Sequence, residues 1–87
     1  MREKRKEYLL RKLFLKQMPK NFTIKELNQL MVLCNCKKVQ GGRGSGIGYC
    51  HIPSKRIIKF DEPHPGHELY AYQIKMLREF LKEIGEA

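Results

Sequence analysis

Thr23 and Glu26 constrain the fold more tightly than any other pair in the chain. A threonine followed three residues later by glutamate makes a capping box: the hydroxyl accepts from the Glu26 N–H and the carboxylate accepts from the Thr23 N–H. Phe22, just before it, can staple onto Leu27. This predicts a helix starting at Ile24. Leu27, Leu30, Met31 and Cys34 then recur at i, i+3, i+4 and i+7, an apolar stripe that makes Cys34 a core residue. The stripe ends near Asn35, a residue that tolerates the left-handed backbone found after helices.

The other elements follow from periodicity. Upstream, Tyr8, Leu10, Leu13, Phe14 and Met18 recur at helical spacing among Arg2, Lys4, Arg5, Lys6, Arg11, Lys12 and Lys16, which predicts an amphipathic helix of about four turns. Pro19, Lys20 and Asn21 interrupt it. That helix reads as a support packed on the main domain, as a docking or membrane-surface helix, or as an added RNA contact. Downstream, Cys36 to Gln40 suits a short strand, and Gly41 to Gly46 must be a turn or loop because its glycines weaken any regular element. Ile47 to Ile52 and Arg56 to Phe60 are rich in β-branched and aromatic residues and form a hairpin through Pro53, Ser54 and Lys55. Asp61 to Glu68, with two prolines and a glycine, is a loop. A last helix runs from Leu69 to Ile84, with Tyr70, Ile74, Leu77, Leu81 and Ile84 on one face.

This order predicts an α+β fold in which helices cover one face of a three-stranded antiparallel sheet and leave the other face exposed. With 87 residues, 41% of them hydrophobic, the chain has room for one core. Residues 1–21 are read as a basic helical extension and residues 22–87 as the main domain. No apolar run is long enough to cross a membrane, and the charged start, Met1 to Lys6, lacks the pattern of a secretion signal. A cytoplasmic location is expected, and the odd number of cysteines, Cys34, Cys36 and Cys50, agrees with reduced thiols.

Charge narrows the partners. The formal net charge is +9, which favours a polyanion or an acidic protein. Residues 1–22 carry +6, residues 37–60 carry six Lys or Arg and no carboxylate, and residues 61–87 carry −3. The carboxylate-free stretch points to Lys37, Lys38, Arg43, Lys55 and Arg56 as contacts for RNA phosphates, with Tyr49 available to stack on a base. Backbone donors of the glycine run, with Arg43 and Ser45, suit an anion nest as well as a plain turn. The run is neither a GxxxxGK[ST] loop nor a dinucleotide fingerprint, so no nucleotide or other small-molecule cofactor is expected. Cys34, Cys36, Cys50 and His51, with His64 and His67 in reserve, include zinc-ligand types, but their spacing departs from CxxC knuckles and no metal is expected.

From Phe22 to Leu27 (FTIKEL), through the basic strand, the glycine turn and the hairpin, to Glu62 to Tyr72 (EPHPGHELYAY), the chain resembles the HicA family over about residues 22 to 84. The PHPG loop, Pro63 to Gly66, followed by Glu68, Leu69, Tyr72 and Gln73, is similar to that of a divergent HicA branch. The resemblance implies a fold of the double-stranded-RNA-binding-domain kind. It also implies a bacterial toxin that binds messenger RNA and cleaves it without a metal, as an endoribonuclease, and a HicB-like antitoxin as protein partner. Such cleavage is attack of a ribose 2′-hydroxyl on the adjacent phosphodiester, served by a histidine base. In the family that histidine follows a Gly-Ser pair, with an aromatic residue three positions on. Here Gly44 and Ser45 are followed by Gly46, and Tyr49 supplies the aromatic, so glycine stands where the family has histidine. His51, on the same strand side as Tyr49 and Ile47 by period-two alternation, is the first candidate for a replacement base and His64 the second; each also reads as a structural imidazole. Three functional readings stay open: a cleaving toxin, an RNA binder of the same fold that does not cleave, and a basic module whose main ligand is an antitoxin-like protein.

Overall fold

In a computed structural model that describes residues 2–17, 19, 21–40, 46–61 and 68–87, the capping box is formed as expected. Thr23 Oγ1 accepts from Glu26 N at 3.2 Å, and Glu26 Oε1 accepts from Thr23 N at 3.1 Å. The helix this starts, α2 (Ile24–Leu33), presents Leu27, Leu30 and Met31 to the interior, and Asn35 turns the chain with φ 62°. Before it lies α1 (Arg2–Leu13). After it come β1 (Cys36–Gln40), β2 (Gly46–His51), β3 (Ile57–Asp61) and α3 (Ala71–Glu83). The fold is α+β: three antiparallel strands in the order β1-β2-β3, with three helices among the described residues. None of those helices is long and apolar enough to cross a membrane.

The register decides which side chains meet. Cys36 pairs with His51, Lys38 with Tyr49, and Tyr49 with Ile58. Directly opposed residues share a sheet face, so Cys36, Lys38, Ile47, Tyr49, His51 and Ile58 point one way. That way is the core: Cys36, Ile47, Tyr49 and Ile58 join Leu27, Leu30, Met31, Ile74, Leu77, Phe80 and Leu81 in one buried cluster. Both α2 and α3 therefore lie on the same side of the sheet.

The first helix departs from expectation in its buried face. Leu9 and Leu13 are enclosed in the same core, Leu10 and Phe14 pack against it, and Tyr8 stands 51% exposed; Met18 lies outside the described residues. The extension is thus part of the single core. Arg78 of α3 fastens it, donating through Nε to the Leu13 carbonyl at 2.8 Å and through a guanidinium nitrogen to the Leu15 carbonyl at 3.0 Å. Those carbonyls, at the end of α1 and just past it, lack helical partners, so a cationic donor suits them.

The last helix starts later than expected. Tyr70 is its N-cap and largely exposed, and Gln73 is fully buried instead. Gln73 Oε1 accepts from Tyr70 N at 2.9 Å, and its Nε2 donates to the Asp61 carbonyl at 2.5 Å. A buried amide with both ends bonded carries little desolvation penalty, and it ties the end of β3 to the start of α3.

Glu26 also links α2 to α1, accepting from Lys12 Nζ at 2.8 and 2.9 Å. Burial pushes its carboxyl up, but the Lys12 and Thr23 hydrogen bonds and the Lys12 charge outweigh it and hold the group below the ordinary value of 4.5. Since the folded value lies below the unfolded one, this stabilisation is full above 4.5 and is lost as pH falls through the folded value. Glu26→Gln is expected to flatten that acid limb, read as melting temperature against pH from about 6 to about 3. Thr23→Ala is expected to cost about 1 kcal/mol at neutral pH, the usual worth of an N-cap.

Candidate nucleic-acid interface

Strand alternation sends the remaining side chains to the face that none of the described helices covers. Lys37, Cys50 and Ile57 form one cross-strand row; Val39, Gly48 and Lys59 form the next; Gly46 and Asp61 form the third. Lys37, Ile57, Lys59 and Asp61 are exposed. Strands are spaced by about 4.8 Å and residues along them by about 3.3 Å, so the Lys37 and Lys59 Cα atoms are about 12 Å apart across this face. Neither lysine has a salt-bridge partner among the described residues. Between them Gly48 permits close packing: a Cβ there would sit 3.1 Å from Val39 Cγ2 and 3.2 Å from Lys59 Cγ. Any larger residue would have to push the lysine stem aside.

The hairpin adds charge at the end of this face. Lys55 takes a left-handed conformation, φ 65°, which exposes its side chain at the turn. His51 N donates to the Arg56 carbonyl at 2.8 Å and Lys55 N to the His51 carbonyl at 2.7 Å, so the turn is closed on both strands. Arg56 is exposed and pairs with Glu83 of α3 at 3.1 Å, an exposed contact that contributes little to stability. Among the residues singled out from sequence, Arg56 leans toward the helical side, opposite His51 and paired to α3, while Lys55 stands at the hairpin end and Lys37 projects on the uncovered face. Lys38 does not: as the cross-strand partner of Tyr49 it projects toward the helical side, at the outer edge of β1.

Two expectations are corrected by burial. Tyr49 is 2% exposed and its hydroxyl donates to Asn28 Oδ1, so its ring packs in the core and presents no face for a base. His51 does share a side with Tyr49 and Ile47, but that side is the interior. It is 7% exposed, and its Nδ1 lies 2.7 Å from Ser54 Oγ, which also accepts from Arg56 N at 3.3 Å. The imidazole braces the hairpin and faces away from Lys37 and Lys59. Arg43, Ser45, His64 and His67 lie outside the described residues.

Gly46 is the first residue of β2, on the uncovered face, and its cross-strand partner is Asp61. A side chain at 46 would therefore project on the same face as Lys37 and Lys59, opposite a carboxylate. Lys59, on that face beside Gly48, was not among the residues singled out from sequence. The alternation of Ile57, Ile58 and Lys59 contained the signal, since placing Ile58 in the core sends Lys59 outward.

Cys34 and Cys36 belong to the core. Burial, reinforced by the Glu86 carboxylate and opposed by Lys6, pushes the Cys34 thiol up to about 12. Burial, then Cys50 and Glu86, pushes Cys36 up to about 11. The thiolate is the reactive form, so iodoacetamide at mildly alkaline pH is expected to label these two at least about a hundredfold more slowly in the folded chain than in urea, read by mass spectrometry. No cluster of three or more metal-ligand side chains occurs among the described residues. No protein-family model, curated protein or solved structure matches the chain.

Proposed function

We propose that this protein binds RNA across the uncovered face of its sheet and the adjoining hairpin, as an RNA-binding domain of the HicA toxin kind. The observation that carries the reading is the sorting of charge by face. Lys37 and Lys59 stand on the uncovered side with Lys55 at its end, and among the described residues one exposed carboxylate, Asp61, lies at the far row. Such an arrangement suits a phosphate backbone, whose condensed counterions are released on binding. The succession α2-β1-β2-β3-α3, with both helices on one side, agrees with the double-stranded-RNA-binding type of fold that the resemblance implies. A HicB-like antitoxin is then the protein partner that would hold the domain in check.

Within this reading, binding without efficient cleavage is favoured over a cleaving toxin. Attack of a 2′-hydroxyl needs a base within hydrogen-bond reach of its proton. Gly46 has no side chain, and His51 is enclosed on the opposite side and bonded to Ser54. Binding of the RNA would still rest on the lysines, and Asp61 opposite position 46 would be available to orient an imidazole placed there.

The test is a titration of labelled single-stranded RNA followed by amide shifts, alongside a cleavage assay in excess chelator comparing the chain with Gly46→His. Shifts concentrated at Lys37, Gly48 and Lys59, with affinity falling steeply as salt rises, are expected. Cleavage is expected to increase about a hundredfold or more in the histidine variant. Equal cutting by both chains would return the search for a base to His64, and absence of salt-dependent binding would reject the RNA reading.

A further inference from the structure

A second surface lies on the helical side, away from the basic sheet face. Arg5 of α1 and Asn28, Gln29, Val32 and Leu33 of α2 line a groove of about 380 Å³. Its wall is held by Arg5, which donates to Gln29 Oε1 at 2.7 and 3.2 Å and lies 5.2 Å from the centroid of the Tyr8 ring. Val32 stands 62% exposed in the last turn of α2. An aliphatic side chain so placed adds nothing to the core, and beside the half-buried Leu33 it forms an open apolar floor.

The groove is framed by cations. Arg5 lines it, the exposed Lys25 lies one helical turn before Asn28 and Gln29, and Lys38 projects to this side from the edge strand. Among the described residues no carboxylate lines it, and Glu26 on the same helix is occupied by Lys12.

We propose that this groove docks an acidic amphipathic helix of a partner protein, with aliphatic side chains on Val32 and Leu33 and carboxylates toward Arg5, Lys25 and Lys38. Charge complementarity selects that occupant. A second copy of this chain would bring another net charge of +9 against the first, and like charges disfavour association. RNA would meet the cationic rim but leave the aliphatic floor uncovered, whereas a helix laid in a groove fills such a floor with residues at i, i+3, i+4 and i+7. The inference stands independently of RNA binding, because it uses the opposite side of the molecule.

The experiment titrates the full isotope-labelled chain with a synthetic helical peptide of about 18 residues, leucine at those spacings and glutamate on its polar face. A control peptide carries lysine for every glutamate. The acidic peptide is expected to shift the amides of Asn28, Gln29, Val32 and Leu33 and to bind at least about tenfold more tightly than the control. Val32→Asp is expected to weaken it about tenfold or more, with the amide spectrum outside the groove and the RNA titration unchanged. Equal binding of both peptides, shifts confined to other surfaces, or an unaffected Val32→Asp variant overturns the proposal. RNA shifting these same amides would assign the groove to nucleic acid, and concentration-dependent self-association abolished by Val32→Asp would assign it to a second copy; either result overturns the partner-helix reading.

Discussion

Phe22→Ala is expected to lower the stability of the fold by about 3–5 kcal/mol in urea denaturation. The ring is fully buried at the junction of the helical layer, with Lys12 Nζ 5.8 Å from its centroid. Its carbonyl accepts from Leu69 N at 2.8 Å, and Thr23 beside it bridges to Glu68. Truncation would therefore open a cavity where the approach to α2 meets the approach to α3. A domain of this size has only about 4–13 kcal/mol of total stability, so the loss takes a large share of it. Phe22→Leu keeps most of the volume and is expected to cost less than about 1.5 kcal/mol. Equal effects of the two substitutions would mean that the site is not packed as described.

Replacing Lys37, Lys55 and Lys59 together by alanine is expected to lower affinity for single-stranded RNA about a hundredfold or more at physiological salt. The sharper reading is the slope of log affinity against log salt. Each phosphate neutralised on a single strand contributes about 0.7 to that slope, so losing all three contacts should reduce it by about 2. Those side chains are exposed and outside the core, which makes the fold a suitable internal control by circular dichroism. Lys38→Ala alone, on the other side of β1, is expected to change RNA affinity much less than Lys37→Ala. If the two single variants weaken RNA binding equally, the uncovered face is not the binding surface.

That contrast between adjacent lysines marks where the sequence stops being informative. Both lie in a carboxylate-free stretch, and both read equally well as phosphate contacts. Alternation says that they point in opposite directions, but the assignment of each to a face depends on register with β2, a pairing across the chain. The same register turned His51 inward. Its parity with Tyr49 and Ile47 was legible from spacing; that their side is the covered one followed only from α2 and α3 packing there.

Tyr49 shows a related limit. An aromatic residue in a basic strand serves a surface or a core equally well by composition, and Asn28, distant in sequence, supplies the hydroxyl partner that makes burial favourable. Gln73 carried even less signal, because a polar residue in the first turn of a helix ordinarily faces solvent; its burial depends on the Asp61 carbonyl at the end of β3. For α1, helical spacing identified the element, while Leu9 and Leu13 form its buried edge only because α2 and α3 meet it there.

What the sequence by itself determined was local: the start of α2 at its capping box, the turn at Asn35 and the bounds of β1. It also determined the succession of helices and three strands and the basic character of residues 37–60. These depend on hydrogen bonds, backbone torsions and charges within a few residues, which a short segment specifies alone. Only the tertiary structure decided which face of the sheet stays open, which lysines share it, and which polar groups are enclosed. Those outcomes depend on cross-strand register and on helices packing from distant parts of the chain, where burial selects among conformations that local rules leave equivalent.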